Sequence, residues 1–455
     1  MPRTLAPDTP LGRRRPLVLT VLLTAFAAAC TDAPSAPRAG AADVAAAKAP
    51  LDSGARSRGR GDFHRYVAIG TSVSMGWHSD GVHAALQETS WPAQLARLAE
   101  RELSLPRIAF PGCGAPLAAP LASGVRVSGE PTAAPFLSRM CAPNEPGVEL
   151  PAGNVAIVGA RTDQALFATP EHPDPNYAPV YARVLAAGQS QVTAMEALNP
   201  KIVSVELGAN EILGARDGAY VPGQTVVPVA FWQPRYQEVV ARVAATARRA
   251  LLVGLIDDLR NFPAFRTGGE LWAARATFAP LHVQVSADCA QAPGAANLLF
   301  VPVRVPLAVG EGAARARAGL PPAVLSCANL PPVDQNGVAI RDYVLSPAEV
   351  AQANAQLVAM NAVIRAEAAR YGFAYFALSA LYERAVFKPP FNAAATMLSP
   401  TPFGPLVSLD GLHPSAAGHA VLAGAAAHAL NATYGYGIPT VPGPGAPLAA
   451  VLAGR

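Results

Sequence analysis

The sequence predicts an α/β fold with a parallel sheet that is covered by helices on both faces. From Phe63 onward, short apolar runs with β-strand character alternate with longer helical patterns. Such alternation is typical of parallel strands that are joined by crossover helices. The chain has 455 residues, 51% of them hydrophobic, so it can bury the core of one large domain or of two ordinary ones.

Strand-length and helix-length segments follow one another in the order that a parallel sheet requires. The predicted strands are Tyr66–Ile69, Asn154–Val158, Ile202–Leu207, Leu251–Ile256 and Phe373–Phe376. The predicted helices are Trp91–Leu103, Tyr181–Leu198, Phe231–Ala250, Pro347–Tyr371 and Ser415–Leu430. The predicted globular domain therefore covers residues 63–437.

Residues 1–29 are predicted to be an export signal rather than part of the fold. Three arginines, Arg13–Arg15, precede an apolar run over Leu17–Ala29 that is too short to span a bilayer comfortably. Small residues then lead into Cys30, and this resembles a bacterial lipoprotein signal, in which the cysteine is lipidated and becomes the mature N-terminus. The resemblance implies a lipid-anchored protein of the bacterial cell envelope, with Thr31 favouring the outer membrane. An ordinary cleaved signal, giving a secreted protein, is the alternative.

Two segments beside the predicted domain have the composition of flexible chain. Residues 30–62 are rich in Ala, Pro, Ser, Gly and Arg and lack apolar periodicity, so we predict a tether between the anchor and the domain. Residues 438–455 are rich in Pro, Gly and Ala, and we predict a disordered tail.

The charge of the chain argues against nucleic-acid binding. The formal net charge is +4, but residues 1–29 contain four arginines and one aspartate and account for most of it. The mature chain is therefore nearly neutral, whereas nucleic-acid-binding proteins carry clustered basic charge. We expect a monomer without a nucleic-acid partner.

Two Pro-rich segments, 107–150 and 257–345, interrupt the alternation, and each contains two cysteines. None of the four lies in a C-x-x-C pair, so no zinc or thioredoxin-like site is predicted. In an exported chain an even number of cysteines indicates disulfides rather than free buried thiols. Of the three possible connectivities we predict the local one, Cys113–Cys141 and Cys289–Cys327. We interpret the segments as disulfide-braced insertions around an active-site rim; decorative surface loops are the alternative.

An acidic residue and a histidine near the end of the chain have the spacing of half a catalytic triad. Asp410 precedes His413 by three residues in a loop that is bounded by Gly411 and Pro414. The carboxylate can accept the Nδ1–H of the imidazole while Nε2 faces outward as a base. The pair therefore predicts an exposed serine and oxyanion donors elsewhere in the chain.

Glycine and polar residues follow three predicted strands, at the end where open parallel sheets bind ligands. Ser72 comes shortly after the first strand and is the candidate nucleophile, with Ser74 as its rival. Gly159 follows the second strand, and its backbone N–H could approach a substrate oxygen. Asn210 follows the third, and its amide could donate to an oxyanion. A plain turn glycine and a helix-capping asparagine are the structural alternatives.

With these residues in this order, the chain resembles the GDSL, or SGNH, hydrolase family of esterases and lipases. The four sequence blocks of that family are matched over roughly residues 63–435 by Gly70-Thr71-Ser72, Asn154…Gly159, Gly208-Ala209-Asn210-Glu211 and Asp410-Gly-Leu-His413. The resemblance implies Ser72 as nucleophile, His413 as base and Asp410 as its orienting acid. It also implies an oxyanion hole of the Ser72 and Gly159 backbone N–H groups and the Asn210 amide. The implied fold is a flavodoxin-like three-layer α/β/α sandwich with about five parallel strands.

Two residues depart from the pattern of the family. Thr71 stands where the family has aspartate, and Glu211 replaces the second acid of the third block. Neither is a member of the implied triad, so the departures bear on rate and substrate rather than on the class of reaction. The α/β-hydrolase fold is the rival, but its nucleophile elbow is G-x-S-x-G and Ser74 stands in place of the last glycine.

A small polar cluster, His78, Asp80 and His83, follows the candidate nucleophile. Its spacing does not match H-E-x-x-H and no further ligands are evident, so we interpret it as a solvated loop, with a metal site as the alternative. We expect neither a metal nor a cofactor.

The sequence predicts an exported, membrane-anchored serine esterase or lipase that hydrolyses a small-molecule or lipid carboxylic ester through an acyl-enzyme. Lysophospholipase, thioesterase and carbohydrate deacetylase activities remain open on the same residues. A non-catalytic envelope lipoprotein that binds a ligand is the alternative from another class. Thr71 and Glu211 favour that alternative, and the complete set of Ser72, His413 and Asp410 argues against it.

Overall fold

The described residues of the computed structural model, 53–132, 141–383 and 385–440, contain nine strands and fifteen α-helices. The strands are β1 (Tyr66–Gly70), β2 (Ile202–Glu206), β3 (Arg249–Gly254), β4 (Phe265–Thr267), β5 (Val283–Val285), β6 (Leu298–Phe300), β7 (Ala323–Leu325), β8 (Val344–Leu345) and β9 (Ala374–Ala377). The helices are α1 (Ser53–Phe63), α2 (Ser72–Met75), α3 (Ala84–Glu88), α4 (Trp91–Leu98), α5 (Thr162–Phe167), α6 (Ala178–Val184), α7 (Gln191–Leu198), α8 (Asn210–Leu213), α9 (Val229–Thr246), α10 (Gly268–Ala273), α11 (Val301–Arg317), α12 (Pro347–Tyr371), α13 (Ser379–Tyr382), α14 (Ala393–Leu398) and α15 (Ala416–Tyr434).

Four strands form the central parallel sheet, in the order β1-β2-β3-β9. The segment predicted as a fifth strand, Asn154–Val158, runs beside β1 and donates from the Val155 N–H to the Ala68 carbonyl, but it makes only an isolated bridge. On its outer side the Asn154 side chain accepts from the Ala156 N–H. The Asn154 side chain therefore occupies a backbone donor that a further strand could use at this edge of the sheet. The central sheet has four strands, one fewer than expected.

Helices cover both faces of this sheet, which confirms the predicted α/β architecture. Val67 and Ile69 of β1 pack into a core with side chains of α5, α7, α9 and α12. Tyr66 and Ala68 point to the opposite face and pack into a second core with α4 and α15. Because successive side chains of a strand point to opposite faces, every residue of β1 is buried.

Local capping signals explain which helix boundaries were predicted well. Helix α12 has the predicted bounds, because a capping box of Ser346 and Glu349 begins it and Gly372, in the left-handed region at φ 65°, ends it. The predicted helix over Tyr181–Leu198 is instead two helices, α6 and α7. Gly188 has φ 72° between them, and Ser190 caps the second helix.

The second insertion is more regular than the sequence predicted. Within 257–345, β4, β6 and β8 form an antiparallel sheet, β5 pairs with β7, and α10 and α11 pack against them. Cys289 and Cys327 are joined just after β5 and β7, and Cys113 is joined to Cys141 in the first insertion, which is the predicted pairing. The short strands escaped prediction because three residues are too few to show a period.

Both ends of the predicted domain extend further than expected. Helix α1 occupies Ser53–Phe63, so the last part of the predicted tether is helical, and Asp62 contacts Arg249 and Tyr436. Ile438 is buried and its backbone N–H donates to Asn431. Cys30, the predicted signal and the tail beyond residue 440 lie outside the described residues. Within the described part of the chain no helix is both long and apolar enough to cross a membrane.

Candidate active site

The turn after β1 places Ser72 at the first position of the short helix α2. Gly70 is the last residue of β1, and a Cβ at this position would lie 2.6 Å from the Ser74 hydroxyl. Thr71 is extended, with φ −110°, and the helix begins directly after it. The small residue at position 70 therefore allows the close turn that brings the Ser72 side chain to the carboxyl end of the sheet.

Three side chains from the two ends of the chain form a continuous set of hydrogen bonds. Ser72 Oγ lies 2.8 Å from His413 Nε2, and His413 Nδ1 lies 2.9 Å from Asp410 Oδ2. If the carboxylate is ionised, Nδ1 carries the proton and Nε2 accepts from the serine hydroxyl. This arrangement can draw the proton from Ser72 as the hydroxyl attacks an electrophile. Ser74, the rival nucleophile, is instead bonded to Glu206 and Trp91.

The His413 side chain and backbone donors hold the Asp410 carboxylate in its ionised form. Its Oδ1 accepts from the N–H groups of Leu412 and His413, and its Oδ2 accepts from the N–H of Asp80 at 3.0 Å. Burial alone would raise the pKa of Asp410, but the charge and side-chain hydrogen bond of His413, together with the backbone N–H groups of His413 and Leu412, lower it well below its usual range. The carboxylate is therefore available to orient the imidazole at any ordinary pH.

The loop that was predicted to be solvated packs against this carboxylate instead. Ser79 is buried; its N–H donates to Ser408, and its hydroxyl lies 2.8 Å from His78 Nδ1. Both Ser79 and Asp80 have left-handed φ values, 52° and 62°. Arg126 of the first insertion holds the turn through Asp80 Oδ2 at 2.9 Å. The interpretation as a solvated loop is therefore wrong for His78–Asp80.

No group of side chains among the described residues has the arrangement of a metal site. His83 caps α3 with its backbone, away from any ligand set. His419 of α15 is buried, and burial lowers the pKa of its imidazole to about 3. It is therefore neutral, and it serves as packing in the helix that covers the sheet.

Glu206, the last residue of β2, is a buried acid that sequence reasoning missed. It accepts the Thr71 N–H at 3.0 Å, the Thr71 hydroxyl at 2.8 Å and the Ser74 hydroxyl at 3.0 Å. Burial raises the pKa of Glu206 although these hydrogen bonds oppose it. A carboxylate at the end of an apolar strand was the available signal, because a buried acid without partners is costly.

Gly159 follows the segment that runs beside β1, and Asn210 is the first residue of α8, shortly after β2. Gly159 has φ 74°, and a Cβ there would overlap the ring of Tyr177. The Asn210 amide donates to the Ala160 carbonyl at 2.9 Å, so it ties α8 to the turn after Gly159. An amide group has two N–H donors, so this bond leaves one of them for another acceptor.

Glu211 of α8 also links this helix to the chain that follows Gly159. Its Oε1 accepts from the Thr162 N–H at 2.7 Å, at the start of α5. Burial raises the pKa of Glu211 to about 7, although bonds to Thr162 oppose the shift. The acid that departs from the family pattern therefore supports the turn after Gly159 and does not contact Ser72 in any described bond.

Two voids lie beside the candidate site, and His413 borders both of them. The first, here called the apolar pocket, is a narrow space of about 60 Å³. Besides Ser72, Asn210 and His413, its walls are mainly apolar and include Leu213, Leu255, Leu357, Leu378 and Leu412.

The second void, here called the insertion cleft, is wider, at about 540 Å³, and borders Asp410 and His413. Both insertions contribute to its walls. They supply Leu117 and Arg126 from the first and Phe300, Val303 and Leu307 from the second. Arg216 and Asp217 also line the cleft, and the Arg216 guanidinium lies 5.9 Å from the centre of the Phe300 ring.

The profile of the GDSL-like lipase/acylhydrolase family matches residues 66–426. A mutant of Axe2, an acetyl-xylooligosaccharide esterase from Geobacillus Stearmophilus, aligns at 13% identity over 82% of this chain and 94% of its own, with a TM-score of 0.32. LAE5, an alpha/beta hydrolase enzyme from the metagenome of Lake Arreo, Spain, aligns at 13% identity over 81% and 94%, also with a TM-score of 0.32. No curated protein sequence matches the chain.

Proposed function

The chain belongs to the GDSL-like lipase/acylhydrolase family and is a serine ester hydrolase, and we propose that Ser72, His413 and Asp410 carry out its chemistry. The observation that carries the proposal is the short path Ser72 Oγ–His413 Nε2–His413 Nδ1–Asp410, with distances of 2.8 and 2.9 Å. Its substrates are carboxylic esters, and it acts as an esterase or lipase through an acyl-enzyme.

In the proposed reaction Ser72 Oγ attacks the ester carbonyl carbon while its proton passes to His413 Nε2. The tetrahedral intermediate collapses as the imidazolium gives this proton to the departing alcohol oxygen, which leaves the acyl group on Ser72. Water then attacks the acyl-enzyme; His413 takes a proton from it and returns one to Ser72 Oγ as the acid departs. Asp410 keeps the imidazole in the required tautomer and stabilises its charged form.

The oxyanion of both tetrahedral intermediates needs donors that are in place before the reaction. We assign the backbone N–H groups of Ser72 and Gly159 and the second amide N–H of Asn210. Replacing Asn210 with alanine should lower kcat by roughly 10²–10³-fold with a smaller effect on KM, because the donor acts mainly on the transition state.

The decisive experiment is labelling with a fluorophosphonate probe, together with hydrolysis of short-chain p-nitrophenyl esters. The wild type should be labelled at Ser72, and Ser72→Ala should lose both labelling and hydrolysis. Ser74→Ala is the matched control, since Ser74 lies on the same short helix but bonds Glu206, and it should retain labelling. Labelling that persists in Ser72→Ala would refute the assignment of the nucleophile.

We further propose that the enzyme is exported and held at a bacterial membrane by lipid on Cys30. The support is the arginine-led apolar run that ends in small residues before this cysteine. Metabolic labelling with a palmitate analogue should mark the wild type but not Cys30→Ala, and the variant should appear in the soluble fraction. Equal labelling of both proteins would contradict the anchor.

A further inference from the structure

Gly159 is an assigned oxyanion donor whose N–H makes no hydrogen bond within the part of the chain that the structure describes. Its φ of 74° lies in the left-handed region, and a glycine can leave such a conformation at little steric cost. The two side chains of α8 that tie this turn bond to Ala160 and Thr162 and not to Gly159 itself. A preorganised donor at this position therefore needs a further contact.

The aromatic ring of Tyr177 supplies that contact. A Cβ built on Gly159 would lie 2.0, 2.4 and 2.6 Å from the ring atoms Cε2, Cδ2 and Cζ, which are its nearest atoms outside the adjoining residues. The ring therefore packs directly on the Gly159 Cα, on the side where any other residue carries its side chain. Packing this close leaves the glycine backbone no space on that side in which to rotate.

The Tyr177 backbone is tied back to the same turn. Its N–H donates to the Asp174 carbonyl at 3.1 Å, and the Asp174 carboxylate accepts from the side-chain amide of Gln164. The amide oxygen of Gln164 accepts the Arg161 N–H at 2.8 Å, two residues after Gly159. These contacts form a closed path from the turn to Tyr177, and the path returns to the turn through the ring. The ring and the glycine are therefore held in a fixed relation.

Helix α6 begins directly after Tyr177 and is held by the first insertion. The Asn144 side-chain amide donates to the Arg183 carbonyl at 2.8 Å, and Arg183 Nε donates to the Ala142 carbonyl at 2.8 Å. Ala142 and Asn144 closely follow Cys141, which is a disulfide cysteine. The base of the Tyr177 side chain is therefore fixed by a braced helix.

The ring of Tyr177 makes the contact with Gly159, and its hydroxyl makes none that matters for it. The hydroxyl forms no hydrogen bond with any residue that the structure describes. Burial raises the pKa of Tyr177, so the ring is uncharged at neutral pH. A phenylalanine at this position would therefore present the same surface to Gly159.

We propose that Tyr177 is a positioning residue of the oxyanion hole. Its ring holds Gly159 in the left-handed conformation that turns the N–H toward the substrate oxygen, and Tyr177 itself does not touch the reacting atoms. The benefit falls on the transition state, in which that oxygen gains negative charge. This inference rests on the proposed function, because it uses the role of Gly159 as a donor.

The proposal is tested by hydrolysis of p-nitrophenyl acetate with the full-length protein. Tyr177→Ala removes the ring and should lower kcat roughly tenfold while KM stays within about twofold, because a displaced donor is weakened mainly in the transition state. Tyr177→Phe keeps the ring and should retain at least about half of the wild-type kcat. Val180→Ala is the matched control, since Val180 is buried in α6; it should lower the free energy of unfolding in urea and leave kcat unchanged.

Inhibition by a trifluoromethyl ketone reports on the oxyanion hole separately. Ser72 Oγ adds to the ketone carbon while the hydroxyl proton passes to His413 Nε2, and the ketone oxygen becomes the oxyanion that the donors hold. Tyr177→Ala should raise the Ki by about the factor by which it lowers kcat/KM, and Tyr177→Phe should leave the Ki near the wild-type value. Tyr177→Leu fills more of the space than alanine and so protects the fold, and it should show the same losses to a smaller extent.

Fluorophosphonate labelling of each protein separates the two levels of the proposal. If Ser72 is labelled in every variant but Tyr177→Ala keeps the wild-type kcat and Ki, the positioning role is wrong and the proposed function stands. Equal losses in Tyr177→Phe or in Val180→Ala would also refute that role, because the hydroxyl or a loosened α6 would then account for the effect. If the wild type is not labelled at Ser72, the proposed function fails and the role of Tyr177 fails with it.

Discussion

Glu206 of β2 accepts both the backbone N–H and the hydroxyl of Thr71, at 3.0 and 2.8 Å. Thr71 stands where related hydrolases have an aspartate, and the neighbouring strand supplies a carboxylate to the same turn. The residue before the nucleophile is thus held by a hydrogen bond across the sheet. This explains how the turn is stabilised without an acid at position 71.

The Thr71–Glu206 contact predicts a difference between two conservative variants. Thr71→Val keeps the shape but removes the hydroxyl, so Glu206 Oε1 loses its described donor, and the free energy of unfolding should fall by about 1–2 kcal/mol. The rate of fluorophosphonate labelling should fall as well, because the turn carries Ser72. Thr71→Ser retains the hydroxyl and should keep most of the stability and rate. Urea denaturation and labelling kinetics measure both; equal losses in the two variants would contradict the role of the hydroxyl.

The turn at Asp80 predicts a second positioning effect. The Asp80 N–H donates to Asp410, and its side chain is held by Arg126. Asp80→Asn tolerates φ 62° and keeps an acceptor for Arg126, so kcat should fall less than threefold. Asp80→Ala tolerates this φ poorly and loses the acceptor, so kcat should fall roughly tenfold at nearly constant KM. Steady-state kinetics at pH 8 check both variants, and an Asp80→Ala enzyme with the wild-type kcat would show that the turn does not position Asp410.

Glu211 predicts a pH dependence of stability. Its pKa is raised from 4.5 to about 7 by burial, so the folded state holds the proton more tightly than the unfolded state. The resulting stabilisation is complete below pH 4.5 and is lost as the pH rises through 7, with a total of about 3 kcal/mol. Glu211→Gln cannot titrate, so the difference between its unfolding free energy and that of the wild type should change over this range. A difference that is constant from pH 4.5 to 7.5 would contradict the shift.

The close contact of Gly159 with the Tyr177 ring predicts that substitutions at these two positions have coupled effects on stability. Gly159→Ala adds a Cβ that overlaps Tyr177 and forces an L-residue to φ 74°, so it should cost about 3 kcal/mol of stability. In a Tyr177→Ala background the overlap is absent and only the backbone strain of about 1 kcal/mol remains. Thermal or urea unfolding of the four proteins in this double-mutant cycle gives the coupling. Additive effects would show that the ring does not limit position 159.

Whether the sequence predicted an element correctly depends on whether the residues that define that element are close together in the chain. Helix α12 was predicted to the residue because Ser346, Glu349 and Gly372 mark its ends in the chain itself. The Asn154–Val158 segment has the apolar composition of a strand, but whether it pairs fully with β1 depends on the neighbouring segments in space. The short strands of the second insertion are defined by their partners, and three-residue segments carry no period that a sequence could show.

The same distinction between local and long-range signals applies to the residues of the candidate site. Asp410 and His413 could be paired from their spacing, because three residues in a tight loop already bring the carboxylate to the imidazole. Glu206 lies far along the chain from the turn that carries Ser72. Asp80 lies far along the chain from Asp410, in a loop without a recognisable motif. Their contacts arise because β2 pairs with β1 and because Ser79 and Asp80 pack on the loop 408–413, and neither event is encoded in a local pattern.

By itself the sequence determined the alternation of helices with the strands of the central sheet, the family and the candidate residues Ser72, Asp410 and His413, because these are carried by periodicity, capping and short motifs. Only the tertiary structure decided that Glu206 supports the turn before Ser72, that the Asp80 N–H supports the Asp410 carboxylate, and which side chains of the two insertions line the cleft beside His413. The physical reason is that these arrangements depend on hydrogen bonds and packing between residues more than a hundred positions apart, such as Thr71 and Glu206, whose geometry exists only once the sheet has formed.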